Sequence, residues 1–140
     1  MSKKWILACL SFFFGTAAFA QEVFKTRILN KEYDVFMQIN LYEENVKIPG
    51  QDILGETFGY LKKNTDSRVW AITGVEISKD GKKATLEMVN DYGSEDLTAT
   101  LSYNPKDSVY TLKQNAGSTI KIARNRKWVK LPSTMQFKRK

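Results

Sequence analysis

Residues 83–124 limit the fold more than any other stretch, because apolar and polar side chains alternate along them with a period of two. Ala84, Leu86 and Met88 alternate with Thr85 and Glu87. Leu97, Ala99, Leu101 and Tyr103 alternate with Thr98, Thr100 and Ser102. Tyr110 and Leu112 enclose Thr111, and Ile120 and Ile122 flank Lys121. A period of two puts each set on one face of a strand. The runs are separated by residues 91–96, by Asn104-Pro105-Lys106-Asp107 and by Asn115-Ala116-Gly117-Ser118. Gly, Asn, Asp and Pro supply the backbone angles that hairpin turns require. The stretch therefore reads as an antiparallel meander with one dry and one wet face.

The rest of the chain extends this pattern. Val35, Met37, Ile39 and Leu41 alternate with Phe36, Gln38, Asn40 and Tyr42, a clear strand. Residues 46–48 form a short strand broken by Pro49-Gly50, and residues 57–62 resume it around Phe58, Gly59 and Tyr60. In residues 68–78, simple alternation sets Val69, Ala71, Thr73, Val75 and Ile77 on one side and Trp70, Ile72, Gly74 and Glu76 on the other. A glycine in mid-strand, here Gly74, signals a bulge or sharp bend. Lys79-Asp80-Gly81-Lys82 is a tight hairpin turn, and Asn125-Arg126 turns the chain between Ile122 and Trp128. Residues 21–31 fit a helix or a strand. Eight to nine strands at this spacing predict an all-β domain. Consistent hairpin connection favours a single small antiparallel up-and-down β-barrel of about eight strands, with a β-sandwich as the alternative.

The N-terminal residues are of another kind. Lys3 and Lys4 precede an apolar run over residues 5–15, and Ala18 and Ala20 occupy the small-residue positions before Gln21. This is the pattern of a secretory signal peptide over residues 1–20. The expected mature domain is then residues 21–140, exported to the periplasm or cell surface of a Gram-negative bacterium. The run is too short to span a bilayer, which takes roughly 20 residues, and no later transmembrane segment is expected. Cys9, the only cysteine, lies inside the leader, in a weak lipoprotein-like box, Ile6-Leu7-Ala8-Cys9. Cleavage there would leave almost no apolar core between the lysines and the cysteine.

Chemistry is narrowed by what is missing. The chain has no histidine, and no cysteine after Cys9. That removes Ser–His–Asp and thiol catalysis and the best zinc and copper ligands. Residues 91–96 do not have the spacing of a standard calcium loop. Glu76, Glu87, Asp91, Glu95 and Asp96 sit at outward or turn positions, where solvated charge is expected rather than a glycosidase pair. The expectation is a protein without catalytic residues, metal or cofactor.

Charge is unevenly placed. Residues 21–107 carry 11 Lys and Arg against 15 Asp and Glu, whereas residues 108–140 carry 9 Lys and Arg and no acid. Neighbouring strands can offset such halves across a sheet, and edge lysines discourage aggregation. The functional reading makes Arg124, Arg126, Lys127, Lys130 and Lys138 a surface for an acidic envelope partner. The same cations interleave with Trp128 as in single-strand binders, but export argues against a nucleic-acid partner.

Aromatic content exceeds the needs of a one-sided sheet. Phe36, Tyr42, Phe58, Tyr60, Trp70, Tyr103, Tyr110 and Trp128 either fill the barrel or line a mouth that takes a small apolar or amphipathic ligand. The segments Val46-Lys47-Ile48-Pro49-Gly50, Leu54-Gly55 and Gly59-Tyr60-Leu61, residues 90–96, Lys127-Trp128-Val129-Lys130-Leu131-Pro132 and Phe137-Lys138 carry a resemblance. The chain resembles small exported lipocalin-like (calycin-type) proteins of Gram-negative gut bacteria. That resemblance implies a small β-barrel and brings no catalytic residues. The Gly-x-Trp opening and the cysteine pair of many lipocalins are absent, with Tyr33 or Phe36 in the place of the former. The leading expectation is a non-enzymatic exported barrel that binds a small ligand. The alternative is a filled barrel acting as an interaction module or inhibitor through its basic C-terminal surface.

Overall fold

A computed structural model describes residues 22–91 and 94–140. The expected signal peptide and Cys9 lie outside the described residues. Twelve strands form: β1 (Lys25–Asn30), β2 (Val35–Asn40), β3 (Val46–Lys47), β4 (Glu56–Thr57), β5 (Gly59–Lys63), β6 (Val69–Ile77), β7 (Lys83–Asn90), β8 (Asp96–Asn104), β9 (Val109–Gly117), β10 (Lys121–Arg124), β11 (Lys127–Lys130) and β12 (Thr134–Arg139). Eight of them close an antiparallel barrel in the order β1-β12-β9-β8-β7-β6-β5-β2. Apart from the closing β1–β12 pair, every neighbour in the ring is next in the chain once two hairpins, β3–β4 and β10–β11, are set aside. The up-and-down barrel is therefore the architecture, and residues 25–30, open between helix and strand in the sequence, are strand β1. No helix among the described residues is long and apolar enough to cross a membrane.

The alternation in residues 83–113 carries straight into the barrel wall. Leu86, Met88, Ala99, Leu101, Tyr110 and Leu112 point inward and are buried. They pack with Ile28, Met37, Leu61, Ile72 and Phe137 from the other strands into one cluster. Thr85, Glu87, Thr98, Thr100 and Thr111 lie between the buried positions and reach the surface to differing degrees. Burial of a large aliphatic or aromatic side chain contributes roughly 1.5–3 kcal/mol, so this cluster is the main source of stability in a domain without disulfides.

Strand β6 departs from simple alternation. Its pairing with β7 shifts register between Ile72 and Gly74. A bulge adds one residue on one strand and so reverses the faces beyond it. Val69 and Ala71 consequently lie on the outer side, whereas Val75 and Ile77, in the same odd-numbered series, pack against the interior cluster. A Cβ at Gly74 would sit 2.7 Å from Oε2 at the tip of the exposed Glu87 side chain.

The two hairpins do different jobs. Strands β3 and β4, with the loop between them, fold over the outside of β2, β5 and β6. There Ile48 packs with Phe36, Tyr60, Val69 and Ala71 in a second buried cluster, with Leu54 and Val46 beside it. Phe36 of β2 and Tyr60 of β5 thus face outward under the flap, while Met37, Ile39 and Leu61 of the same strands fill the barrel. Strands β10 and β11 leave the wall at one end, so Ile120 and Ile122 do not continue the meander. They and Leu131 join the interior cluster from above, as a cap. The cap sits at the end holding the 31–34 and 64–68 turns, and Arg124 Nη2 donates to the Glu32 carbonyl at 3.0 Å. The opposite end is closed by residues 22–24.

Candidate functional site

The eight aromatics proposed for a ligand mouth do not share one cavity. Phe36 and Tyr60 meet edge-on at 5.9 Å between centroids, on the outer face under the flap. The Arg27 guanidinium lies 3.9 Å from the Phe36 centroid, and its positive charge partly offsets the upward pressure of burial on the Tyr60 pKa. Phe58 is half-buried between β4 and β5, packed on the interior cluster. Trp70 is inside the barrel near the capped end, and its Nε1 has no hydrogen-bond partner. The void beside it, with Leu61 and Ile122 in its wall, measures only about 10 Å³, room for roughly one water.

Tyr42, Tyr103 and Tyr110 do gather, at the uncapped end, but that end is plugged. Phe24 is fully buried and packs edge-on against Tyr110 at 6.3 Å. Tyr103 lies 4.8 Å from Tyr110. The Tyr110 hydroxyl donates to the Val23 carbonyl and accepts from Arg139 Nε at 3.2 Å. The Phe24 amide donates to the Tyr42 hydroxyl at 3.0 Å. Burial raises the Tyr110 pKa, and the Arg139 hydrogen bond and charge counter part of that rise. A ring of tyrosines that reads as a mouth in the sequence is thus the seat of the N-terminal segment.

Trp128 and four of the five cations come together on the capping hairpin. Asn125 and Arg126 take φ of 53° and 66°, the left-handed pair of a type I′ turn. Across the hairpin Lys121 faces Lys130, Ile122 faces Val129, Ala123 faces Trp128 and Arg124 faces Lys127. Ile122 and Val129 share one face and pack on the barrel cluster. Lys121, Trp128 and Lys130 share the other and, with Glu95, line an open cleft of about 400 Å³. Trp128 is 53 % exposed, and the Arg68 guanidinium stacks 4.3 Å from its centroid. Arg68 is itself paired with Asp66 at 2.6 Å, and that hydrogen bond holds the Asp66 carboxyl below its usual pKa. Lys138 is elsewhere, on β12 opposite Leu29 of β1.

No ion pair among the described residues joins the acidic and basic halves of the chain. The ion pairs among the described residues, Lys25–Glu22 and Arg68–Asp66, are both local. The acidic candidates are spread out. Glu76 and Glu87 are exposed on strands. Asp91 Oδ1 accepts from the Val69 amide at 2.9 Å, and Glu95 Oε1 from Asn90 Nδ2 at 3.2 Å, so both brace the β7–β8 turn. No group of three or more potential metal ligands occurs among the described residues.

Strands β1 and β12 close the barrel through only two residue pairs, Ile28–Arg139 and Leu29–Lys138. On one side the Lys140 amide still donates to the Arg27 carbonyl at 3.3 Å; towards Asn30 the strands part, and a cleft of about 850 Å³ opens along the seam. No periodicity announces it, because β1 and β12 lie at opposite ends of the chain. No protein family, curated protein or solved structure matches the chain.

Proposed function

We propose that this protein is an exported, non-catalytic barrel that recognises an acidic protein partner of the cell envelope through the β10–β11 hairpin. The observation that carries the reading is the hairpin's charge register. Lys121 stands opposite Lys130, and Arg124 opposite Lys127, with Arg126 at the turn and no acid in residues 121–130. Like charges directly opposite one another destabilise a β-pair. An oppositely charged partner relieves that repulsion, and the half-exposed Trp128, on the same face as Lys121 and Lys130, supplies an apolar anchor of the kind enriched at binding hot spots. The packed interior supports the reading, because it makes the barrel a rigid mount for the hairpin rather than a container. The lack of histidine and of any cysteine after Cys9, and carboxylates committed to turns or solvent, support the absence of catalysis.

Chromatography of the mature chain on immobilised polyglutamate tests this. The protein should be retained at low salt and released as salt rises. Neutralising Lys121, Lys127 and Lys130 to Ser should shorten retention clearly more than neutralising Lys79, Lys82 and Lys83 in the exposed β6–β7 turn. The two triple variants have equal net charge, so identical elution would reduce the effect to overall charge and overturn the hairpin's role.

A further inference from the structure

A second candidate site is the seam cleft between β1 and β12, whose Glu32 and Tyr33 also touch Arg124 of the hairpin. Its walls are set by the short closure of the barrel. The Asn30 side chain reaches across to donate to the Gln136 carbonyl at 2.8 Å, while its Oδ1 accepts from the Tyr33 amide at 2.9 Å. The gap is therefore bridged at one point rather than zipped shut. Leu29, Tyr33 and Pro132 give the cleft an apolar lining, and it reaches Met135, a buried member of the interior cluster. Lys31, Lys138, Arg139 and Lys140 stand around it against a single acid, Glu32. Its volume of about 850 Å³ falls within the range of small-molecule sites.

We infer that the seam cleft binds a single-chain amphiphile with an anionic head, its tail lying along Leu29 towards Met135 and its head among the lysines. The apolar floor selects for a tail, and the excess of cations selects the sign of the head. A short organic anion lacks the first element, and a cationic surfactant is repelled by the second.

The test uses the mature chain, with decanoate, decyltrimethylammonium and acetate as probes below micelle formation. Met135, Met37 and Met88 are labelled for methyl NMR. Decanoate should bind saturably and move the Met135 methyl, leaving Met37 and Met88 in place. Decyltrimethylammonium should bind about tenfold more weakly or less, the scale set by losing one charge-assisted contact. Acetate should not bind measurably. The exposed pair Lys31→Glu and Lys138→Glu should lose decanoate binding without loss of the native spectrum, and the Lys121, Lys127 and Lys130 variant should keep it. Equal affinity for both surfactants, or unchanged decanoate binding in the Glu pair, would overturn the site. Shifts at Met37 and Met88 in place of Met135 would move the ligand into the barrel and also overturn it. Anionic vesicles that pellet the protein without moving Met135 would put the contact on a bilayer surface, again against the cleft.

Discussion

Tyr110 connects the two ends of the chain. Its hydroxyl joins Val23 to Arg139, and its ring supports Phe24. Tyr110→Phe removes both hydrogen bonds while keeping the ring, so urea unfolding should show a loss of about 1–2 kcal/mol, on the scale of buried hydrogen bonds. Ionisation of the same residue gives a pH signature. Burial raises its pKa and that of Tyr60 above the ordinary value of 10.0. A raised folded-state pKa contributes stability that is intact below the unfolded pKa and is lost as pH climbs through the folded one. Thermal melts should therefore hold steady up to about pH 10 and fall above it, with a shallower fall in Tyr110→Phe. A steady melting temperature beyond that pH would contradict the burial of these hydroxyls. What the sequence shows of such residues is their type. That Tyr103 and Tyr110 face inward follows from alternation, but that residues 22–24 fold back onto them does not, since the Val23–Tyr110 contact joins residues 87 positions apart.

Among the elements, the β10–β11 hairpin stands out because its local chemistry works against its own stability. A non-glycine residue in the left-handed region costs about 1–2 kcal/mol, and Arg126 occupies such a position with φ of 66°. Arg126→Gly should therefore raise stability by about 1 kcal/mol, read by urea unfolding, while weakening retention on polyglutamate. A variant that gains stability and keeps full retention would remove Arg126 from the partner surface. The opposite case is Gly59, with φ of 143°, where a Cβ would overlap the Gln38 carbonyl oxygen and come within 2.9 Å of the Ile39 Cα. Gly59→Ala should cost about 2–3 kcal/mol by backbone strain, measured the same way. Some element boundaries were legible: turns at Asp80-Gly81 and Asn125-Arg126 sit where the residues place them, but Asn115, Ala116 and Gly117, expected in a turn, run in β9, where Ala116 and Gly117 pair with β8. The bulge in β6 was signalled by Gly74, but its effect on Val75 and Ile77 was not, because alternation has no means of marking where its phase reverses.

Across the whole molecule, the ring closes without crossover connections and its interior is occupied by its own side chains. The barrel was legible because hairpin succession leaves few other ways to cover a dry face. The surplus of aromatics was ambiguous for a physical reason. A buried ring under an external flap, a ring plugged by the N-terminal segment and a ring lining a cavity have the same alternation pattern. Phe36 and Tyr60 are of the first kind and Tyr110 is of the second. The seam cleft escaped notice because it depends on how few pairs β1 and β12 make, a property of two distant segments jointly.

The central claim is that recognition belongs to the hairpin and not to the barrel interior. Its most direct measurement is a backbone amide NMR titration of the mature chain with soluble polyglutamate at low salt. The account predicts saturable shifts over residues 121–130 and at Arg68, reversed by added salt, with the amides of Leu86, Leu101 and Leu112 unmoved. Shifts centred on those interior strands, or spread evenly over every lysine-bearing turn, would contradict it.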